Sequence, residues 1–520
     1  MAKLKNINGH FVESDYENAL IAFLEQEGWQ YLYGDSITRA NRKEVLYMDD
    51  LLQFLKDNHK NVKDEELQRI ADNVRLAGAD SDFATLHKVY KWMVNGVPAV
   101  DKEGRPTTVS LIDFGCLDNP QIKNTNIFRV VNQFTVEYIN NGVVKNRRPD
   151  VLLYVNGIPV CVIELKNPAD ANATIEDAWE QINIRSWRDI PHLLHYCPLA
   201  CISDGVKTRL GTVLTPYEHF YAWRRVENGD KVSILPFDEL ETMVKGVYRP
   251  ERFLEIFRDY IYFQDTNYDY EEKEIVCRYP QFFATRLLRE SVIKSVKTKS
   301  GKGGTYFGAT GCGKTFTMAF LARQLSLRCA AEIGSPTILM IVDRDDLQKQ
   351  GAKLFTKSAE FLNLGEVSTV PTRKKLREEL GARESGGFFI CTIQKFCDRK
   401  DDPIGLINER SNIICFSDEA HRTQIEGSKR IKFSEDADEN MRAMISKPYA
   451  KVLREALPNA TFVGFTGTPI AETYQTFGDE IDRYTMDQAV ADKITVPIKY
   501  HPRIAIVVLN EEKAKEIEAY

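Results

Sequence analysis

Apolar positions along this chain keep different spacings in different stretches, and the spacing changes where the architecture changes. From Ser14 to Trp29, SDYENALIAFLEQEGW, the residues Ala19, Leu20, Ile21, Phe23 and Leu24 recur at helical intervals. They predict one amphipathic helix, with Ser14 as N-cap and Glu17 three residues on closing a capping box. Residues 35–117 read as mixed and mostly helical (EVLYMDDLLQFLKDNH, EELQRIADNVRLAG), ending in a hairpin-like passage near Val97 to Thr107 with a structural role. The period then shortens to that of strands in NIFRVVNQFTVEYI, VLLYVNGIPVCVIELK and LACISDGVKTRLGTV, with Asn156-Gly157 as a two-residue turn. Residues 169–188 read as the following helix, which together with the strands makes an α/β domain.

A helical connector rich in aromatics is expected over residues 236–273, serving interdomain packing. From Glu274 onward short apolar runs alternate with helical patterns: TYFGAT, TILMIVD, FFICTIQ, NIICFSD and TFVGFTG. Runs apolar on both faces are what parallel strands require, so a doubly wound parallel sheet is predicted, with its ligand at the strand C-terminal ends. The fold class is therefore α/β. The expected domains are 1–245 with the insertion at 35–117, the connector 246–273, a second α/β domain 274–475, and the start of a linker or further domain from 476 to 520.

Composition narrows the setting. The 520 residues are 43% hydrophobic and 28% charged with net charge −6, so no whole-chain basic footprint exists and any nucleic-acid contact must come from local patches. The first ten residues lack the apolar core of a signal peptide and no run is long enough to span a bilayer, which makes the cytoplasm the expected compartment and a membrane an unexpected partner. The 10 cysteines, among them Cys161, Cys201, Cys391 and Cys415, sit mostly in apolar runs and read as small buried hydrophobes. Neither disulfides nor zinc spacing is evident. Only Cys312, by its position in a glycine-rich loop, is expected to be open to alkylation.

That loop is GATGCGKT: Gly308, Ala309, Thr310, Gly311, Cys312, Gly313, Lys314 and Thr315, opening the helical run FTMAFLARQL. It fits the phosphate-loop pattern, in which glycines turn backbone N–H groups and a helix N-terminus toward the phosphates of a nucleotide. Lys314 supplies charge to the β and γ oxygens, and Thr315 a hydroxyl to Mg²⁺. Downstream, an apolar strand ends in Ser417-Asp418-Glu419-Ala420-His421. Asp418 is assigned to the metal, Glu419 to activation of the attacking water, and His421 to reporting nucleotide state. ATP and Mg²⁺ are the ligands this chemistry implies.

A second set of residues lies upstream: Arg147-Arg148-Pro149-Asp150, a strand, the Asn156-Gly157 turn, another strand, and Glu164-Leu165-Lys166. A hairpin brings Asp150 and Glu164 to the same end, and alternation turns Glu164 and Lys166 to one face with Leu165 toward the core. Paired carboxylates suit one or two Mg²⁺ ions that activate a water, with Lys166 stabilising charge on a phosphate or orienting the nucleophile. The plain alternative is a hairpin with polar ends. Glu17 is a third metal candidate, with the capping box as its other role. Basic clusters at Lys145, Arg147 and Arg148, and at Lys297, Lys299 and Lys302, are candidate phosphate contacts.

Taken together, GATGCGKT, IVDRDDLQKQ, TIQKF, SDEAH and GFTGTP resemble, in this order, the first RecA-like half of a superfamily-two helicase or translocase. The resemblance implies that Thr392 to Phe396 lie along the DNA backbone path, that Thr466 to Thr468 couple nucleotide to DNA, and that Gln281 reads adenine. Such motors work between two halves, the second supplying an arginine; with only about fifty residues after GFTGTP, weak hydrolysis is expected of this chain by itself. The upstream set resembles the PD-(D/E)xK nuclease fold, which implies Gln181 on the next helix as a further catalytic residue. A Tyr commonly follows four positions later there; this chain has Arg185, which on the same helical face is suited to a phosphate. Nuclease and motor on one chain resemble the restriction (motor) subunit of type I restriction-modification enzymes. That implies a type I site-specific deoxyribonuclease acting on double-stranded DNA, partnered by modification and specificity subunits. Two rivals remain: a stand-alone helicase with an inactive nuclease-like domain, and a nucleotide-dependent scaffold.

Overall fold

The computed structural model describes residues 13–497 apart from 79–80, 168–173, 230–237, 265–272, 344–350, 352–353, 357–358, 363–366, 397–401 and 422–448. Most of the motif IVDRDDLQKQ, the final strand-like RIAIVVL and the start of the helix expected from residue 169 lie outside the described residues.

Helix α1, Glu13–Gln26, precedes a mixed sheet of six strands. These are β1 Gln30–Tyr33, β2 Phe128–Asn132, β3 Val151–Val155, β4 Ile158–Leu165, β5 Leu199–Ser203 and β6 Thr208–Gly211, side by side in that order. Every residue of β3 and β4 is buried, as expected of apolar runs covered on both faces. They are joined at Asn156 (φ +51°) and Gly157 (φ +76°), the two left-handed positions of the tight hairpin turn that Asn-Gly favours.

The expected strand NIFRVVNQFTVEYI breaks in two. Gln133 takes a left-handed φ of +53°, leaving Phe128–Asn132 in the sheet and sending Val136–Asn140 out to pair with Val143–Arg147 in a separate ribbon. The capping expectation for Ser14 also changes: the helix already includes Glu13, so Ser14 lies inside its first turn. The insertion is helical as expected, with α2 Met48–Asn58, α3 Asp64–Arg75 and α4 Asp82–Asn95, then the hairpin of Val97–Val100 with Pro106–Val109. It is tied to the sheet by Arg129 of β2, whose Nε lies 2.8 Å from Oδ2 of buried Asp50.

After α5, Ile175–Glu180, the chain reaches the connector, which is only partly helical. It holds α6, Pro250–Asp259, and also a strand, Ile261–Gln264, paired antiparallel with Lys273–Val276. The aromatics that read as helical belong in part to this hairpin. The connector packs both ways: Trp29 donates its indole N–H to the Tyr248 carbonyl and meets Phe253 edge-on at 5.5 Å, while Tyr260 lies 5.3 Å from Phe320 of the second domain.

The second domain is a seven-stranded sheet, all parallel: β7 Lys302–Gly308, β8 Thr337–Val342, β9 Val367–Thr369, β10 Phe388–Thr392, β11 Ile413–Asp418, β12 Thr461–Thr466 and β13 Glu480–Tyr484. The spatial order is β9-β10-β8-β11-β12-β7-β13. α7, Tyr279–Thr298, and α8, Lys314–Leu327, flank β7 in the chain. The five expected strands are the five central ones. The edges β9 and β13 went unseen because VST is short and EIDRY is polar, and β13 falls in the stretch read as linker.

A Cβ at Gly157 would meet the Tyr47 carbonyl oxygen at 2.1 Å and the Leu51 nitrogen at 2.9 Å, in a backbone conformation that alanine resists. Gly157→Ala is expected to cost about 2 kcal/mol or more, read from urea unfolding. An unchanged midpoint contradicts this packing of α2 on the turn.

Candidate functional site

The first cluster forms where β3 begins and β4 ends. Val151 pairs with Ile163, so Asp150, one residue before β3, falls beside Glu164, and its Oδ2 accepts the Leu165 N–H at 2.7 Å. The Glu164 side chain is enclosed with the residue only 1% exposed, yet it is charged and polar company that surrounds it. Gln181 donates Nε2 to Glu164 Oε2 at 2.7 Å and accepts from Lys166 Nζ at 2.9 Å. Only one orientation of the Gln181 amide satisfies both partners, since a carboxylate accepts and an ammonium donates. Lys166 Nζ also reaches the Leu165 carbonyl at 3.1 Å. Asp150, Glu164, Lys166 and Gln181 thus stand together.

Two neighbours differ from expectation. Glu17 accepts from Asn132 Nδ2 at 2.5 Å and from Gln133, at the same end of the sheet, because Asn132 pairs with Val151. It caps nothing. Nor does it join Asp150 and Glu164 in one group: among the described residues no three His, Cys, Asp or Glu side chains converge to hold a metal. Arg185 was placed on the face of Gln181, but residues Gln181–Ser186 wind as a π-helix, and Arg185 Nη2 pairs with Glu180 at the surface at 3.2 Å. The wider turn aims Gln181 inward while Arg185 stays in solvent.

The two carboxylates fit a Mg²⁺ that takes one or two protein carboxylates and completes its shell with water and phosphate oxygens. Asp150 Oδ2 is occupied by a backbone N–H, which fixes the group and leaves Oδ1 for a cation.

The second cluster lies at the C-terminal end of β7. Gly311 and Gly313 take φ of +81° and +87°, and Ala309 donates its N–H to the Tyr484 carbonyl at 2.9 Å, which pins the loop to β13. Lys314 Nζ lies 3.3 Å from the Gly308 carbonyl and 3.7 Å from Glu419 Oε1. Thr315 is half-buried in the first turn of α8. Burial pushes the Asp418 carboxyl above its usual range, Lys314 opposes this and Glu419 adds to it. Gln281 is 4% exposed; it donates Nε2 to the Gly313 carbonyl at 3.3 Å and accepts the Arg278 N–H at 2.9 Å. It therefore reaches the loop from α7.

His421 Nδ1 lies 2.8 Å from Thr466 Oγ1, 3.2 Å from Thr468 Oγ1 and 3.4 Å from Glu419 Oε2. A Cβ at Gly467 would stand 3.1 Å from Thr310 Oγ1. The DEAH and GTP segments and the phosphate loop consequently touch one another. At the end of β10, Ile393–Phe396 forms a single 3-10 turn, and Gln394 Nε2 donates to the Asp343 carbonyl at 2.7 Å.

Residues 10–219 match the family described as type I restriction enzyme R protein N terminus, and residues 280–520 match SWI2/SNF2 ATPase. The type I restriction enzyme HindI endonuclease subunit of Haemophilus influenzae is 31% identical over 510 residues, covering 94% of this chain and 46% of its own. Two family models thus match the chain in turn, the type I restriction enzyme R protein N terminus and then the SWI2/SNF2 ATPase. A Methanocaldococcus jannaschii protein bearing the name of the type I restriction enzyme MjaIXP endonuclease subunit is 30% identical over 537 residues, covering 96% of this chain and 47% of its own. The chain spans about half the length of the curated relatives it matches. Among solved structures, the Hef helicase domain of Pyrococcus furiosus covers 40% of the chain and 40% of its own at 19% identity and a TM-score of 0.25.

Other residues correct or extend the sequence reading. Cys312 is not open to alkylation: it is 5% exposed and burial pushes its thiol up. Arg147 is not a free phosphate contact, since its Nη2 is 2.5 Å from Oδ2 of Asp189, which also binds Arg188 at 2.8 Å. Asp189 went unnoticed because nothing in RSWRDI marks it; only the fold brings residue 147 to it. No helix among the described residues is long and apolar enough to cross a membrane.

Arg188 first, then Arg147, holds the Asp189 carboxyl down at about 2, below its ordinary 3.8. A depressed carboxylate stabilises the fold above its unfolded pKa and ceases to as pH falls through the folded one. Asp189→Asn should therefore lower stability at pH 7 and flatten its dependence on pH below about 4, measured as urea midpoints across the acid limb. Equal stability of both proteins at pH 7 contradicts the pairing.

Proposed function

We propose that this chain is the nuclease and first motor half of a type I restriction subunit, which cleaves unmodified double-stranded DNA with Mg²⁺ while ATP drives translocation. The observation that carries this reading is the hydrogen-bonded group of Asp150, Glu164, Lys166 and Gln181, set on a sheet that shares a buried core with a phosphate loop. A stand-alone motor has no use for a lysine steered onto a glutamine beside two carboxylates.

Asp150 and Glu164 are the residues that would hold Mg²⁺, which supplies a water of lowered pKa and charge stabilisation at the scissile phosphate. Gln181 restrains Lys166 and Glu164 in one geometry, so that the ammonium is carried to the same place as the phosphate charge. In the motor, Gly308 to Thr315 cradle the ATP phosphates, Asp418 holds the nucleotide's Mg²⁺, and Glu419 polarises water. Gln281 reads the adenine from beside Gly313. His421 transmits the state of Glu419 to Thr466 and Thr468, and Thr392 to Phe396 follow the DNA backbone. Modification and specificity subunits complete the enzyme in the cytoplasm and choose the sequence.

In the complete enzyme, Lys166→Ala should reduce DNA cleavage by about 100-fold or more with DNA-stimulated ATPase intact, as loss of one transition-state donor does. Cleavage unchanged by Lys166→Ala favours a helicase with an inactive nuclease-like domain. Lys314→Ala should abolish ATPase and cleavage together, and cutting that persists without ATPase contradicts the coupling.

A further inference from the structure

The ribbon formed by Val136–Asn140 and Val143–Arg147 belongs to neither sheet. Its Asn141-Gly142 turn has φ of +50° and +76°, the tight two-residue form, and a Cβ at Gly142 would meet nothing within 4 Å. Ile139 and Val144 are cross-strand partners, exposed by 60% and 61%, and Val143 beside the turn is exposed by 59%. One face of the tip thus presents Ile139 and Val144 to water, and the other Val143 opposite Asn140. A two-stranded ribbon is marginal by itself, so leaving three branched aliphatics on its tip costs solubility and stability with no return inside the fold.

Its base is basic and firmly held. Asp189 fastens Arg147 and Arg188, and Glu137 donates its N–H to the Arg42 carbonyl, which brings the exposed Arg42 and Lys43 alongside. Lys145 and Arg148 are exposed on the second strand and just after it. The acidic groups nearby are Glu137, Asp35, Glu44 and the paired Asp189, against the cations Arg42, Lys43, Lys145, Arg147, Arg148 and Arg188. The second strand then runs through Arg148 and Pro149 directly into Asp150. The ribbon therefore ends three residues before Asp150 in the chain.

We propose that the ribbon enters the major groove of the substrate duplex next to the cleavage site, its aliphatic tip against base edges and its basic base on the flanking phosphates. The major groove is about 12 Å wide and admits a two-stranded ribbon. Five residues per strand at about 3.3 Å each give a reach that exceeds the groove's depth of about 8.5 Å. Aliphatic side chains read thymine methyls at most, so the ribbon positions DNA and leaves sequence choice elsewhere. The proposal rests on the nuclease reading of Asp150 and Glu164.

The test uses this chain and a fluorescent 30-base-pair duplex without any recognition site, with a photo-crosslinking residue placed at 144 and the triple variant Ile139→Ser, Val143→Ser, Val144→Ser. The expected results are a crosslink from position 144 to DNA and about a tenfold loss of duplex affinity in the triple variant, with an unchanged salt slope, since no charge is removed. Lys145→Ala with Arg148→Ala should instead lower the slope. Unchanged affinity in the triple variant, or a crosslink only to protein when partner subunits are present, overturns the proposal; a thermal midpoint matching the parent excludes misfolding. Asp150→Ala separates the two readings: in this chain it should keep the crosslink, while in the complete enzyme with ATP it should lose Mg²⁺-dependent cleavage, and cleavage that survives it sinks the nuclease reading by itself.

Discussion

The register between β3 and β4 is the constraint on which the rest depends. With Val151 opposite Ile163, Asp150 and Glu164 meet at one end of the hairpin, and Lys166 follows on the same edge. A slip of one residue would turn every side chain of one strand to the other face and separate the pair. The slip is prevented at the other end of the hairpin. Asn156 and Gly157 close the tight turn, helix α2 clamps Gly157 through Tyr47 and Leu51, and a bulge between Leu153 and Tyr154 shifts the pairing by the one residue that sets Val151 opposite Ile163. The helical insertion, which carries no chemistry, therefore fixes the position of the residues that do.

The two candidate sites share a frame as well as a chain. Asp259, fully buried at the end of α6, is paired with Arg258 beside it and with Arg328 just past α8, the helix that begins at Lys314. Arg258 in turn reaches Asp118 of the N-terminal domain at 2.8 Å. On the other flank, Arg224 and Arg225, which follow the six-stranded sheet, bind Asp492 and Asp482, while Tyr279 and Tyr484 both donate to Asp492. Buried pairs of this kind cost desolvation and add little net stability, but removing one partner is expensive, so they act as fixed joints. The connector is better described as a keel than as a linker.

Much of this was legible in the chain. The phosphate loop, the DE pair and the five central motor strands announce themselves through glycine spacing and apolar runs, which are local signals. So do Asn156-Gly157 and the two acidic positions flanking the hairpin. What stayed hidden depends on partners distant in sequence. β13 is polar EIDRY and becomes a strand only because β7 offers it an edge. Gln133 breaks a run that looks continuous, because a left-handed residue leaves no mark in composition. Asp189 is one acidic residue among many until the fold delivers Arg147. Gln181 was found only through its family pattern, and the π-turn that aims it inward has no sequence signature.

Whether residues 150 and 164 share a cation decides whether the first domain can cut DNA. Anomalous diffraction from crystals grown with Mn²⁺ and a duplex is the direct measurement. A peak about 2.0–2.3 Å from both carboxylates is the expected result. Density for the duplex with no peak between Asp150 and Glu164, or a peak bound to only one of them, contradicts it.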